Sequence, residues 1–62
     1  MKAILFKVIC NYELNQYQII TENNAFKHLN CICSNPTELV RKIMSITSEV
    51  RKHRFKALFV YE

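Results

Sequence analysis

Glycine, aspartate and tryptophan are absent from this 62-residue sequence, and proline occurs once. Without glycine the chain can form neither a phosphate-binding glycine loop nor a glycine-rich oxyanion loop. Left-handed turn positions should then be occupied by asparagine, the next most tolerant residue. All acidic residues are glutamates scattered along the chain, so no converging pair of carboxylates is indicated. We therefore expect a protein that is not an enzyme and has no small-molecule substrate.

The length allows a single domain, residues 1–62. Half of the residues are apolar and 23% are charged, which is typical of a folded chain. A chain this short buries only about 60% of its unfolded surface, so its own core is marginal. No apolar run approaches the roughly 20 residues that span a bilayer, so we expect no membrane association.

Cysteine occurs three times, at Cys10, Cys31 and Cys33. An odd number without a secretory leader predicts reduced thiols and a cytoplasmic protein. His28 precedes Cys31 and Cys33 at a spacing that could suggest zinc. On a strand, however, His28 would face away from both cysteines, and zinc sites normally use other spacings. We expect no metal and no cofactor, with the thiols packed in the core or an interface.

Four apolar blocks predict β-strands at residues 2–10, 17–22, 25–33 and 55–61. The first and last blocks are apolar on both faces, which is typical of strands in the middle of a sheet. The short link after the first block and the Asn23-Asn24 pair after the second predict two hairpins.

A helix is predicted between the third and fourth strands. Asn35 is a favourable N-cap, Pro36 suits the first helical position, and Glu38 follows the cap at capping-box spacing. Apolar residues and a threonine then recur at helical spacing in one stripe. The stripe comprises Leu39, Val40, Ile43, Ile46, Thr47 and Val50.

The element order gives an α+β fold, a small βββαβ domain. Two hairpins make the first three strands antiparallel, and a right-handed crossover through the helix returns the fourth strand parallel to the first. The predicted mixed four-stranded sheet has the order 3-2-1-4, with one helix on one face.

One helix leaves the other face of the sheet uncovered. The apolar residues predicted on that face are Leu5, Ile9, Leu58 and Val60. The fourth strand also lies at an exposed edge. Because an open apolar face and a bare edge favour association, we expect a homodimer or another protein partner on this face or edge.

The formal net charge is +4, and most of the positive excess lies in residues 36–62. The basic residues that could contact nucleic acid or an acidic partner are Arg41, Lys42, Arg51, Lys52, Arg54 and Lys56. Several phosphates could be neutralised by such a cluster, although basic residues at a helix end also stabilise the helix dipole. Nucleic-acid binding is therefore the alternative function.

Residues 31–38 combine a strand with a capped, glutamate-bearing helix start. This stretch and the element order resemble the partial ribonuclease-H-like domain of HicB-type antitoxins. The resemblance implies a protein that occupies a toxin. The glycine-rich, aromatic second strand of that family is missing here, so the resemblance is one of topology.

Taken together, the residues predict a small, non-catalytic interaction protein. The abundance of isoleucine, lysine and asparagine is typical of AT-rich coding sequence, which phages and mobile elements often carry. On this association we expect a phage or mobile-element regulator or inhibitor that acts by protein–protein binding.

Overall fold

The computed structural model describes residues 2–62 and has the predicted α+β architecture. The strands are β1 (Lys2–Asn11), β2 (Gln16–Ile20), β3 (Cys31–Cys33) and β4 (Phe55–Tyr61), with helix α1 (Pro36–Lys52) between β3 and β4. They form one four-stranded sheet in the order β3-β2-β1-β4. The predicted element order and strand order are both confirmed.

The first two strands form the predicted hairpin, in which Val8 lies opposite Ile19. Its loop is closed by side-chain chemistry, since the Leu14 N–H donates to Asn11 Oδ1 at 3.3 Å. Asn15 ends the loop with a left-handed φ of 50°. Asparagine therefore takes this turn position, as expected in a chain without glycine.

The central pair of the sheet is parallel, with Phe6 opposite Phe59. Their rings stack with centroids 5.3 Å apart, on the face that α1 covers. The helix begins at the predicted cap, because Asn35 Oδ1 accepts a hydrogen bond of 2.8 Å from the Glu38 N–H. The helix thus crosses the sheet from β3 to β4.

The core lies between α1 and the inner face of the sheet. Its buried apolar residues are Ile4, Phe6, Val8, Ile19, Phe26, Cys33, Leu39, Ile46 and Val50. Three members of the predicted helical stripe are not among them, since Val40 is 55% exposed and Ile43 and Thr47 are only partly buried. The buried stripe is narrower than predicted, because one helix over a small sheet contacts it along a single line of residues.

The prediction of a strand at residues 25–33 is wrong over most of its length. Residues Lys27–Leu29 form a 3₁₀ helix, and β3 has only three residues. Asn30 explains the difference, because its side-chain amide pairs with the backbone of Thr21. The Thr21 N–H donates to Asn30 Oδ1 at 2.8 Å, and Asn30 Nδ2 donates to the Thr21 carbonyl at 3.4 Å.

The Asn30 side chain forms the two hydrogen bonds that a neighbouring strand would otherwise form with Thr21. The residues before Asn30 therefore do not need to be extended, and they form the 3₁₀ helix. The coil places Phe26 in the core, edge-on to Phe55 with ring centroids 5.8 Å apart. The hairpin predicted around Asn23-Asn24 is thus an antiparallel β2–β3 pair joined by a longer connection.

A second left-handed position falls on an unexpected residue. Arg54 has φ of 64° and lies directly after the helix C-cap, His53. Its N–H donates to the Arg51 carbonyl at 2.9 Å, which ends the helix and starts β4. The expectation that only asparagine would take left-handed positions is therefore wrong at this turn.

Candidate interaction surfaces

The face of the sheet opposite α1 carries a row of apolar side chains. Leu5, Leu58 and Val60 are exposed to 50%, 43% and 46%. Leu5 lies directly opposite Leu58 in the parallel pair, so their side chains are neighbours. Ile9 has the same alternation but is partly covered. We call these four residues, together with Ile32, the open face.

Ile32 belongs to the open face, although the sequence reasoning did not select it. It is 58% exposed and lies opposite Gln18 on the strand next to β1. Its alternation with Cys31 and Cys33 could have identified it. Ile32 was missed because the predicted face residues were taken only from β1 and β4, the strands that are apolar on both faces.

Charges of both signs accompany these apolar residues. Lys7 Nζ lies 3.9 Å from Glu62 Oε1, and each side chain is about half exposed. Glu62 is fixed beside β1, because its N–H donates to the Val8 carbonyl at 2.9 Å. Lys56 alternates with Leu58 on the same side of β4. The open face therefore carries both positive and negative groups.

A shallow depression of about 310 Å³ lies beside Leu5, where β2 diverges from β1. Ala3, Leu5 and Ile20 contribute apolar walls, and Lys7 and Glu22 contribute charge. Such a depression suits a protruding side chain from another protein better than it suits a small molecule, since ligand sites are usually enclosed clefts.

The total accessible surface indicates incomplete burial. The chain exposes 4643 Å². Scaling for a folded monomer of 7.4 kDa gives about 4200 Å². The excess of roughly a tenth is consistent with a face that lacks a cover.

The six basic residues selected from the sequence do not form one cluster. Arg41 and Lys42 line the first half of α1, beside Glu38. At the opposite end, Arg51 and Lys56 border a depression of about 320 Å³. Lys42 and Arg51 are nine residues apart on α1, about 14 Å along its axis and on opposite sides of it, so the two sets do not contact one phosphate group.

The remaining two basic residues differ in their surroundings. Lys52 Nζ lies 3.6 Å from Glu49 Oε2, on the same helix. Arg54 lies in the left-handed turn before β4, and its exposed side chain forms no ion pair within residues 2–62. Arg51, Arg54 and Lys56 are therefore the basic residues available to an anionic partner near the C-terminal end of α1.

Cys10 is separated from Cys33, whereas Cys31 and Cys33 are neighbours on β3. Cys10 lies opposite Tyr17, and Tyr17 lies opposite Cys33. With strands about 4.8 Å apart, the two cysteines are about 10 Å from each other. His28 lies exposed in the 3₁₀ helix. Within residues 2–62 no three His, Cys or Glu side chains are grouped as a metal site would require.

Among residues 2–62, Cys33 is the one group whose pKa is clearly altered. Its burial, followed by the neighbouring Cys31 and the hydrogen bond between the two thiols, raises the pKa of Cys33 to about 11. The thiol is consequently neutral near pH 7, which suits a packing role and not that of a nucleophile.

Comparisons with known protein families, with curated proteins and with solved structures give no match. The likeness to HicB-type antitoxins thus remains a matter of element order. None of the helices within residues 2–62 has the length and apolarity needed to cross a bilayer.

Proposed function

We propose that this chain is a non-catalytic interaction protein that self-associates through the open face. The observation that carries the proposal is the block formed by Leu5, Leu58 and Val60, about half exposed on the face that α1 does not cover. Two copies would stack sheet against sheet, with their helices outward. Aligned sheets pack in this way about 10 Å apart.

The charges favour a second copy as the occupant. Lys7 and Lys56 on this side are accompanied by Glu62 and Glu22. Most of the chain's net charge of +4 therefore lies elsewhere. Two positively charged chains can associate through a face that carries both signs, and the same groups can form ion pairs across the interface.

The dimensions predict a small interface. The four strands have 10, 5, 3 and 7 residues. At about 3.3 Å per residue and about 4.8 Å between strands, the sheet covers roughly 400 Å². This is less than the roughly 800 Å² per partner of a standard interface, so we expect a weak dimer. Apolar burial at about 25 cal/mol per Å² would drive the association.

Sedimentation equilibrium between about 1 μM and about 1 mM tests the proposal, a range that brackets typical weak to moderate affinities. We expect a reversible dimer that persists in concentrated salt, because apolar contact drives it. A chain that stays monomeric over the whole range would contradict self-association.

Such a dimer fits a regulator or inhibitor that acts by occupying another molecule, as the sequence led us to expect. The competing function is nucleic-acid binding through the basic residues. Salt separates the two, because binding to phosphates weakens by about 0.9 log units per contact for each log unit of salt.

A further inference from the structure

We propose that the outer edge of β4 binds an extended, acidic segment of a different protein, which adds to the sheet as a fifth strand. This edge shares Lys56 with the side of the sheet that carries the open face. Its backbone groups do not belong to the open face, so the inference does not require the dimer. A strand added to an exposed edge gains main-chain hydrogen bonds, and its alternate side chains supply specificity.

The direction of the backbone groups on β4 follows from one hydrogen bond. The Glu62 N–H donates to the Val8 carbonyl, so Glu62 points toward β1. Backbone groups alternate along a strand, and those of Ala57, Phe59 and Tyr61 must then point away from β1. Since β4 ends the sheet, no strand within residues 2–62 pairs with these groups.

The two edges of the sheet are not equivalent. At the other edge β3 has only three residues, and short edge strands resist pairing with another chain. By contrast, β4 has seven residues, Phe55–Tyr61, without proline or a bulge. It therefore offers outward groups from three successive alternate residues, enough for a short ladder.

A groove runs beside this edge. The depression of about 320 Å³ lies between α1 and β4 and is lined by Thr47, Arg51, Lys56 and Ala57. The small side chain of Ala57 leaves room there, where a larger residue would fill the space between the helix and the strand. Alternate side chains of an added strand could be received in this groove.

Charge indicates the chemistry of the occupant. Arg51 lies on the α1 side of this edge and the Lys56 side chain on the opposite side, and no glutamate within residues 2–62 forms an ion pair with either of them. An acidic segment would pair with these cations. A second copy carries a formal net charge of +4 and therefore matches these cations less well than an acidic segment does.

The test uses ¹⁵N-labelled protein and a synthetic seven-residue peptide in which valine alternates with glutamate. We expect the amide signals of Ala57, Phe59 and Tyr61 to shift most, because their N–H groups gain partners. The matched peptide carries lysine in place of each glutamate. Its affinity should be at least about tenfold lower, since attraction becomes repulsion.

The charge requirement is tested by changing Arg51 and Lys56 together to glutamate. This double variant should lose at least about tenfold in affinity for the acidic peptide. The control changes Arg41 and Lys42 to glutamate, which gives the same net charge at the far end of α1 and should have a much smaller effect. Both pairs are exposed, so both variants should fold.

The backbone requirement is tested with Ala57→Pro. Proline is tolerated where an edge N–H faces outward, yet it removes the donor that an added strand needs. If this variant fails to fold, Tyr61→Pro tests the same point at the exposed end of the edge. Peptide binding to either folded variant with unchanged affinity would overturn the proposal.

Three further results would also overturn it. The acidic peptide could fail to bind at millimolar concentration, its shifts could map to Leu5 and Leu58 on the open face, or the same edge could bind a uridine oligonucleotide and no peptide. Repeating the titration with Leu58→Lys, which should be monomeric, keeps failure of the edge site distinguishable from failure of the dimer.

Discussion

Thr21 Oγ1 donates a hydrogen bond of 2.8 Å to the backbone carbonyl of Leu5, across the gap where β2 diverges from β1. The same oxygen accepts a hydrogen bond of 3.2 Å from the Asn23 N–H. The threonine side chain thereby replaces a ladder hydrogen bond at the point where the strands separate. Leu5, on the open face, is held in place partly by this one buried hydroxyl.

Replacing Thr21 with valine should lower the free energy of unfolding by about 1–2 kcal/mol. The side chain is 2% exposed. Valine keeps its shape but leaves the Leu5 carbonyl and the Asn23 N–H without this partner, and unsatisfied buried groups cost about that much. Urea denaturation followed by circular dichroism measures the change.

The control for this prediction is Thr47→Val, the same substitution on α1. The Thr47 hydroxyl donates to the Ile43 carbonyl at 2.8 Å, within the same helix. That carbonyl already belongs to the helical ladder, so the loss should stay within about 0.5 kcal/mol. If both variants lose the same free energy of unfolding, the Thr21–Leu5 hydrogen bond contributes no more to stability than the hydrogen bond of Thr47 within the helix.

Arg54 is held in a conformation that disfavours its side chain, and replacing it with glycine should stabilise the protein. A φ of 64° costs a residue with a Cβ atom about 1 kcal/mol. Glycine removes that cost but increases the entropy of the unfolded chain, so we expect a net gain of about 0.5 kcal/mol. Thermal unfolding measures it.

Arg54→Ala is the matched control for this second prediction. It removes the same positive charge and keeps a Cβ atom in the left-handed region, so it should give no comparable gain. If alanine stabilises the protein as much as glycine, the relief comes from charge, and the backbone explanation is wrong.

The sequence predicted the parts of the fold that depend on periodicity. Apolar alternation identified β1 and β4, and the Asn35 cap located the start of α1. The connection between β2 and β3 was beyond that reasoning, because it depends on the Asn30 amide pairing with the backbone of Thr21. A single side chain that hydrogen-bonds to a strand in place of a neighbouring strand produces no periodic pattern in the sequence.

The candidate surfaces also include a part that could be predicted from the sequence and a part that could not. Leu5, Leu58 and Val60 could be selected because the alternation of a strand fixes which face each residue occupies. The grouping of the basic residues could not be predicted in this way, because it depends on their positions in three dimensions. Arg41 and Arg51 are ten residues apart on α1, about 15 Å along its axis, whereas Arg51 and Lys56 border one depression.

The buried Cys33 thiol should make stability fall at alkaline pH. Burial and the neighbouring Cys31 raise the pKa of Cys33 from 9.0 to about 11. Between these values the unfolded chain releases the proton while the folded chain retains it, so unfolding becomes more favourable as pH rises. The contribution is complete below pH 9 and is lost by pH 11. We expect a loss of about 3 kcal/mol from this group once the pH has risen past the folded-state pKa, because the shift is about two pKa units at about 1.4 kcal/mol each.

Urea unfolding at intervals between pH 8 and pH 11.5 tests the prediction, with Cys33→Ala as the control. The variant is less stable at every pH because of the cavity it creates. Its stability should nevertheless decline less steeply, since lysine and tyrosine titration is common to both proteins. Parallel declines would show that Cys33 contributes nothing to the pH dependence.

Changing Leu58 to lysine should dissociate the proposed dimer while the fold persists. Leu58 is 43% exposed and lies beside Leu5, so the new charge would be placed in the centre of the interface, where burying it unpaired is costly. We expect the dissociation constant measured by sedimentation to rise at least about a hundredfold, or about 2.7 kcal/mol.

Val40→Lys adds the same charge at a 55% exposed apolar position on the outer side of α1 and should leave the dimer intact. Equal weakening by both variants would point to general charge repulsion, and unchanged association of the Leu58 variant would place the dimer interface elsewhere.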